Sequence, residues 1–352
     1  MPPLAGASVL ITGGTGSLGK NLIRRILTGE AGQPSRITVF SRDEAKQHAL
    51  ALSLEEACKT SKTHVDFRLG DVRDPDDIDS VIAEAEIVIN AAALKQVPTC
   101  EHQPFEAVKT NVIGAENIVR AVERHDRNTE RVARTVVCIS TDKACKPVNA
   151  MGMSKALQER IFLHEGNARC LGSRFIAVRY GNVIASRGSV LPLFRDQIRR
   201  GEPCTITTIE MTRFLLTLDQ AIDTIFAALA IGHRGELFVP CVGSANILDV
   251  VDAAFRLWSP KQSCSYRVTG IRPGEKIHEI LLSEEECPRT SRRSVNGKPY
   301  FVISPSVPVE PTDTLLGISP SHPNHEYSSA DNVMSVSAIY DLLRNVDVDA
   351  AS

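Results

Sequence analysis

The chain has 352 residues, with 40 Lys and Arg against 42 Asp and Glu, for a formal net charge of −2. Near-balanced charge without a basic stripe speaks against a nucleic-acid binder, and no apolar run approaches the roughly 18 residues of a membrane span. Nine cysteines lie scattered from Cys58 to Cys287 with no C-x-x-C pair, which argues against a disulfide framework or a metal site and suits the reduced thiols of a cytoplasmic protein.

The length admits two domains, or one domain with an added lobe. The N-terminus has no basic flank before its apolar stretch and reads as a first strand, Ser8–Thr12, rather than a signal peptide. It runs into Thr12-Gly13-Gly14-Thr15-Gly16-Ser17-Leu18-Gly19. A helix pattern follows at once, with Leu22, Ile23, Ile26 and Leu27 on one face. Glycines between a first strand and a first helix let the backbone approach a pyrophosphate at the helix N-terminus.

Arg36–Phe40 is the second expected strand, ending in Ser41-Arg42-Asp43. An acid directly at that end would bind the ribose hydroxyls of NAD, whereas a Ser-Arg pair suits a 2′-phosphate. NADP is therefore expected ahead of NAD. The plainer reading is that Arg42 is solvated and Asp43 caps the next helix. His64–Leu69 is a third strand, followed by Asp71 and Val72, placed to flank an adenine. Ile87–Asn90 is a fourth, followed by Ala91, Ala92 and Ala93, small enough for close approach of a ribose or nicotinamide. A helix is expected from about Pro104 to Arg124, with Asn111 inside it at a small cost unless it bonds something.

Thr135–Ile139 is a fifth, fully apolar strand. It ends in Ser140-Thr141-Asp142-Lys143, which brings a hydroxyl, an acid and an amine to the carboxyl edge of the sheet, where open α/β sheets bind ligands. A helical pattern begins near Ala150. Phe175–Tyr180 is a sixth strand, ending at Gly181-Asn182. Alternating strands and helices predict an α/β, Rossmann-like doubly wound parallel sheet. The division expected is residues 1–182 for the dinucleotide-binding domain and 183–352 for a smaller C-terminal substrate-binding lobe, with segments returning to the first domain. In that lobe Arg187, Arg213 and Arg272 sit in expected loops and are candidates for a diphosphate or sugar. A helix carrying Ile277, Ile280, Leu281 and Leu282 is expected after Lys276. Residues 283–323 read as a long, partly mobile excursion.

Taken together, the chain resembles the extended short-chain dehydrogenase/reductase family. Within it, the chain is similar to the soluble, inverting UDP-N-acetylglucosamine 4,6-dehydratases of polysaccharide biosynthesis. The landmarks are TGGTGSLG at 12–19, FSRDEAKQ at 40–47, GDVRD at 70–74, NAAALKQVP at 90–98, KTNVIGAEN at 109–117, STDKA at 140–144, RYGNVIASRGSVLPLF at 179–194, MTRF at 211–214 and RPGEK at 272–276.

The resemblance implies a cofactor site of Gly13, Thr15, Gly16, Ser17, Leu18, Ser41, Arg42, Lys46, Asp71, Val72, Ala91, Ala92, Ala93, Lys95 and Lys155. It implies substrate contacts from Lys95, Asn182, Arg187, Val190, Thr205, Arg213, Arg272 and Glu275, and a catalytic set of Thr141, Asp142, Lys143, Met151 and Lys155. Most members of the superfamily carry Tyr-x-x-x-Lys. Here Met151 stands in the tyrosine frame before Lys155, and a thioether exchanges no proton. Thr141, or a water held by Lys155, is left to deprotonate O4.

The implied reaction oxidises C4 of the sugar, loses water across C5 and C6, and returns the hydride to C6. Lys143 would be the C5 base and Asp142 the acid at O6. A basic lysine must be partly neutral, which burial and neighbouring Lys155 would favour. An acidic aspartate needs a raised pKa, which a desolvated site would favour. UDP-N-acetylglucosamine is the expected substrate, and a homo-oligomer, dimer or hexamer, the expected assembly, with helices near 104–124 and 150–168 as its interface. Competing readings are a 4-epimerase, a 5,6-dehydratase that releases an exocyclic enol, and a non-catalytic NADP-binding protein.

Overall fold

The computed structural model describes residues 2–128, 134–170, 172–184, 189–306 and 323–346. Its centre is a nine-stranded sheet. Six parallel strands come from the first half of the chain: β1 (Ser8–Thr12), β2 (Arg36–Ser41), β3 (His64–Leu69), β4 (Ile87–Asn90), β5 (Thr135–Thr141) and β6 (Arg174–Tyr180). They lie in the order β3-β2-β1-β4-β5-β6, a doubly wound parallel arrangement of the kind that the sequence predicts. The inner strands are apolar throughout because helices cover both faces. Val9, Leu10 and Ile11 of β1 and Val136, Val137 and Cys138 of β5 are fully buried.

The chain order reverses beside β1, which pairs with β2 on one side and β4 on the other. A crevice opens at such a switch point. Helix α1 (Ser17–Leu27) starts there, and buries Leu22, Ile23, Ile26 and Leu27 against the sheet. Helix α2 (Glu44–Thr60) is capped by Asp43, whose carboxylate accepts from the backbone N–H of Lys46 at 2.9 Å. Helix α3 (Pro75–Ile82) is capped in the same way by Asp74.

The expected helix from Pro104 is present and runs on to Asn128, with a π-helical stretch at Val108–Ile113. The helix predicted near Ala150 spans Ala150–Arg160 and passes into a second π-helical stretch, Ile161–Gly166.

Two expectations in the second half are corrected. No helix follows Lys276: Ile280–Leu282 is a strand paired antiparallel with Tyr327–Ser328. The 283–323 region is not simply an excursion. Thr290–Val295 and Lys298–Ile303 form a hairpin joined to the edge of the central sheet through Leu237–Pro240. Residues 307–322 lie outside the described ones. A second apolar core gathers Leu191, Phe194 and Ile198 of helix Val190–Arg199 with Val250, Val251 and Phe255 of helix Ile247–Trp258 and Ile339 of helix Val336–Arg344. Val190, Leu191, Ile247 and Val250 of this lobe share a small cavity with Asn182 and Val183, just after β6. Among the described residues no helix is long and apolar enough to cross a membrane, and no cluster of His, Cys, Asp and Glu is arranged to hold a metal ion.

Candidate active site

A cavity of about 510 Å³ follows the crevice from α1 to the end of β6. It gathers much of what the sequence pointed to. Gly13, Gly16, Ser17, Leu18, Ala91, Ala92 and Ala93 line one end, and Lys95, Thr141, Lys143, Met151, Lys155 and Asn182 the other.

The glycine end is shaped for a backbone-bound anion. Gly13 has φ +67°, and a Cβ there would lie 2.7 Å from the amide nitrogen of Ala92. Only glycine lets the first loop and the loop after β4 approach this closely. Gly16 caps α1 without a side-chain bond, and no acid sits in the first turn. The positive end of the helix dipole therefore meets the cavity with no acidic side chain in that turn to offset it. These residues fit the pyrophosphate of a nicotinamide dinucleotide, which would supply the redox chemistry of the site when bound. Thr15 is buried behind the loop.

Ser41, Arg42, Lys46, Asp71 and Val72 do not line this cavity; Ser41 ends β2, and the others follow β2 and β3 in the chain. Ser41 is buried, and Gln47 Nε2 donates to its hydroxyl at 3.1 Å and to its carbonyl at 2.9 Å. Arg42 is exposed, with its guanidinium 3.8 Å from Asp71. Lys46 pairs with Asp43. Burial works against the charge of Asp71, but Arg73, bonded to it at 2.6 and 2.9 Å, outweighs burial and lowers its pKa. Val72 is buried against Gly114, and its carbonyl accepts from Asn117 at 3.0 Å. Asp43, in its capping role, is spent on its own helix.

At the other end β5 delivers its last residue and the turn that follows. Thr141 Oγ1 donates to Asp142 Oδ1 at 2.8 Å. Asp142 is fully buried, and its Oδ2 has no hydrogen-bond partner among the described residues. Room for that oxygen depends on Gly181, where a Cβ would meet Asp142 Oδ2 at 3.3 Å and Phe214 at 2.5 Å. Lys143 Nζ sits 2.9 Å from Asp142 Oδ1, 3.4 Å from Asn182 Oδ1 and 3.3 Å from Glu279 Oε1. Three acceptors thus meet the three donors of one ammonium.

Burial opposes the charge on Lys143. Asp142 and Glu279 outweigh both burial and nearby Arg213, and raise its pKa above the ordinary lysine value. The sequence reading expected the reverse, a lysine made partly neutral by burial. Asp142 and Glu279 together are the reason, and Glu279 is the one that the sequence reading missed.

Lys155 shows the opposite balance. It donates to the carbonyl of Ile139 at 2.5 Å and to Gln158 Oε1. Burial lowers its pKa, with Cys138 and Glu159 opposing less strongly. Met151 is buried and packs with Cys100 and Ala107 beside Leu94 and Val97.

Asn111 repays its place in the helix. Its Oδ1 accepts from the amide of Leu94 at 2.9 Å, and its Nδ2 donates to the Leu94 carbonyl and to Ser154 Oγ at 3.0 and 2.9 Å. Ser154 Oγ donates in turn to the Met151 carbonyl at 2.7 Å. The π-helical stretch thus ties the loop after β4 to the helix carrying Met151 and Lys155.

Behind the site, Arg179 of β6 is buried between two acids. It donates to Glu159 at 3.0 and 2.7 Å and to Glu286 at 2.8 and 3.0 Å. Ser140 Oγ donates to Glu159 at 2.5 Å. Burial would raise the Glu286 pKa, but Arg179 outweighs it and pulls the carboxyl down to about 2.

The proposed sugar contacts divide. Asn182, Arg213, Glu275 and Glu279 line a second cavity of about 150 Å³ that shares Lys143 with the first. Arg213 spends its terminal nitrogens on the carbonyls of Thr212, Lys276 and Ile277, and turns Nε toward Glu279 at 3.9 Å. Val190 lines a third, smaller space with Asn182 and Arg213. Thr205 bonds Gln197 through both its amide and its hydroxyl. The Arg272 amide bonds Glu275 at 3.3 Å, on an exposed loop. Neither Thr205 nor Arg272 lines these three cavities. Arg187 lies outside the described residues.

The fold and this site define an enzyme of the short-chain dehydrogenase/reductase type that modifies nucleotide sugars. The chain belongs to the polysaccharide biosynthesis protein family, whose profile matches residues 9–297. It is 41% identical to the UDP-glucose 4-epimerase of Rickettsia bellii (strain OSU 85-389) over 308 residues, which is 84% of this chain and 86% of that protein. Among solved structures, Pen from Bacillus thuringiensis is 29% identical with a TM-score of 0.83, covering 97% of this chain and 99% of that one. The dTDP-glucose 4,6-dehydratase DesIV from Streptomyces venezuelae, solved with NAD and TYD bound, shares the fold at 18% identity and a TM-score of 0.64, over 77% and 86% of the two chains.

Proposed function

We propose that the protein is an NADP-dependent UDP-N-acetylglucosamine 4,6-dehydratase that inverts C5. The observation that carries this is the Asp142–Lys143 pair, an acid and an amine 2.9 Å apart at the end of β5, beside the glycine-lined crevice. Oxidation at C4 alone needs no such pair, but elimination across C5 and C6 needs both a base and an acid. Lys143 takes the C5 proton and Asp142 delivers a proton to O6 as water leaves. With Met151 in the tyrosine frame, the Thr141 hydroxyl passes the O4 proton to Asp142, along the 2.8 Å bond it already makes. Lys155 orients the nicotinamide ribose. Ser41 and Arg42 take the 2′-phosphate, because a guanidinium at the end of β2 can bind two phosphate oxygens.

A second reading, UDP-sugar 4-epimerase, is favoured by the 41% identity to the Rickettsia bellii UDP-glucose 4-epimerase. Incubation with UDP-N-acetylglucosamine and NADP+ separates the two. A dehydratase gives a product lighter by one water, with a C6 methyl group in its NMR spectrum and, in D2O, deuterium at C5. An epimerase gives a product of unchanged mass, and that outcome would sink the proposal. An exocyclic methylene in place of the methyl would mark the 5,6-dehydratase.

Exposed Phe105, Ile113, Met153 and Leu157 lie on the 104–128 and 150–166 helices, which supports a homo-oligomer built through that face. Light scattering of the purified protein tests it, and a monomer at micromolar concentration would refute it.

A further inference from the structure

Lys143 is held by two acids, and they are arranged alike. Asp142 and Glu279 each give one oxygen to Nζ, at 2.9 and 3.3 Å. Each keeps its other oxygen buried without a hydrogen-bond partner among the described residues. They reach Lys143 from different elements: Asp142 from the turn after β5, and Glu279 from the segment before strand Ile280–Leu282. The Glu279 backbone is fixed by its own amide, which donates to Ser329 Oγ at 2.9 Å. Its carboxylate is nearly sealed from solvent, with Arg213 Nε at 3.9 Å and Lys276 Nζ at 4.0 Å. Glu279 Oε1 thus lies within reach of a proton leaving Nζ, and the other oxygen of that carboxylate takes no competing hydrogen bond among the described residues.

We propose that Glu279 is the proton store of Lys143: it takes the proton that Lys143 must shed before acting as a base, and returns it at the end of each turnover. This rests on the dehydratase reading and completes its proton balance. At rest Asp142 and Glu279 are carboxylates and Lys143 is an ammonium. As C4 is oxidised, the O4–H bond breaks and its proton reaches Asp142 through Thr141. The Lys143 Nζ–H bond then breaks toward Glu279, which leaves a neutral amine. That amine takes the C5 proton. The Asp142 proton joins O6, the C6–O6 bond breaks, and water departs. When hydride has returned to C6, Lys143 sheds the proton taken from C5 to solvent, Glu279 restores the resting ammonium, and solvent protonates C5 on the opposite face, as inversion requires. Each group ends as it began, and the water carries away the proton that came from O4. Without Glu279, Asp142 would be the sole acceptor for the Lys143 proton, in the step that requires it to hold the proton for O6.

The groups facing Lys143 are Asp142, Glu279, Arg213 and Asn182, so Glu279→Gln changes one charge and leaves the others. The first measurement needs no substrate. The full-length protein is acetylated at mildly alkaline pH, and Lys143 is followed by peptide mass spectrometry with Lys155 as the control in the same cavity. Glu279→Gln is expected to speed Lys143 labelling at least about ten-fold, the result of losing one opposite charge at this distance, and to leave Lys155 unchanged. Glu279→Asp, which keeps the charge but withdraws it, is expected to fall between the two and serves if the glutamine variant folds poorly. In the second measurement UDP-N-acetylglucosamine and NADP+ are added in D2O. Glu279→Gln is expected to retain oxidation at C4 while deuterium entry at C5 slows about 10²-fold or more, with its pH profile shifted. Unchanged Lys143 labelling, or C5 exchange at the wild-type rate, overturns the proposal. If the wild type loses no water from the sugar, the dehydratase reading falls, and the labelling result alone decides whether Glu279 holds the Lys143 proton.

Discussion

Two lysines, Lys143 half-buried and Lys155 buried, stand on the walls of one cavity and are pushed in opposite directions. Lys143 has two carboxylates within 3.3 Å and its pKa is raised. Lys155 has a backbone carbonyl and an amide oxygen, and its pKa is lowered. Burial disfavours the charge of both. What separates them is whether the acceptors carry full charges or only dipoles. Depth in the fold therefore does not tell which lysine is poised to be neutral. In the protein without substrate it is Lys155, and Lys143 reaches neutrality only when a proton has somewhere to go.

The largest effect is expected from breaking the charged side. Lys143→Ala should lower turnover about 10²- to 10⁴-fold while sparing oxidation at C4, so that reduced-nicotinamide absorbance builds up on the enzyme. Turnover near the wild-type level would show that the paired lysine is structural.

Next comes Arg179, a buried cation matched to two acids as Lys143 is, but away from the cavity wall. Arg179→Met leaves Glu159 and Glu286 uncompensated and should cost about 3–5 kcal/mol in chemical denaturation. Acid sharpens the same point. The Glu286 pKa is depressed from the ordinary 4.5 to about 2, so its stabilisation is fully present above pH 4.5 and is lost as pH falls toward 2. The loss is on the order of 3 kcal/mol. An acid titration of stability that is as steep in Glu286→Gln as in the wild type would contradict this.

Arg42→Ala, at the exposed end of the cofactor groove, should weaken NADP binding by about 1.5–3 kcal/mol and leave NAD nearly unchanged. Calorimetry with both cofactors decides it, and equal losses would remove the 2′-phosphate from Arg42.

The smallest change is expected on the neutral side. Met151→Leu is close in volume and should cost less than about 1.5 kcal/mol of stability, with most turnover kept, whereas Lys155→Ala should lose most of it. A folded, cofactor-bound Met151→Leu as inactive as Lys155→Ala would give the thioether a part in the chemistry.

Much of this was legible in the sequence where local pattern and burial agree. The parallel strands β1, β4 and β5 are covered on both faces, so each reads as an apolar run. The hairpin Thr290–Val295/Lys298–Ile303 was missed because its outer strand, TSRRSV, is largely polar and its partner contains Pro299. Ile280–Leu282 was misread because Ile277, Ile280 and Leu281 repeat at helical spacing by chance, over a stretch too short to arbitrate. In the site, Asp142 and Lys143 announce themselves by adjacency. Glu279 does not, because it meets Lys143 only through tertiary folding and carries no local motif. Arg179 is hidden for the opposite reason: it interrupts an apolar strand, where one charge reads as noise until Glu159 and Glu286 close on it.

The hairpin has a consequence for how the molecule keeps to itself. A wide sheet ends in two rows of unpaired backbone groups, and such rows recruit strands from other chains. Here one border is Thr290–Val295, with Arg292 exposed and Arg293 tied to Glu236. The other is β3, with exposed His64 and Arg68 and with Asp66 paired to Arg36. An incoming strand would have to strip water from guanidinium groups at either border. Among the described residues the sheet therefore stops at nine strands, and runaway edge-to-edge aggregation is discouraged at both ends by these charges.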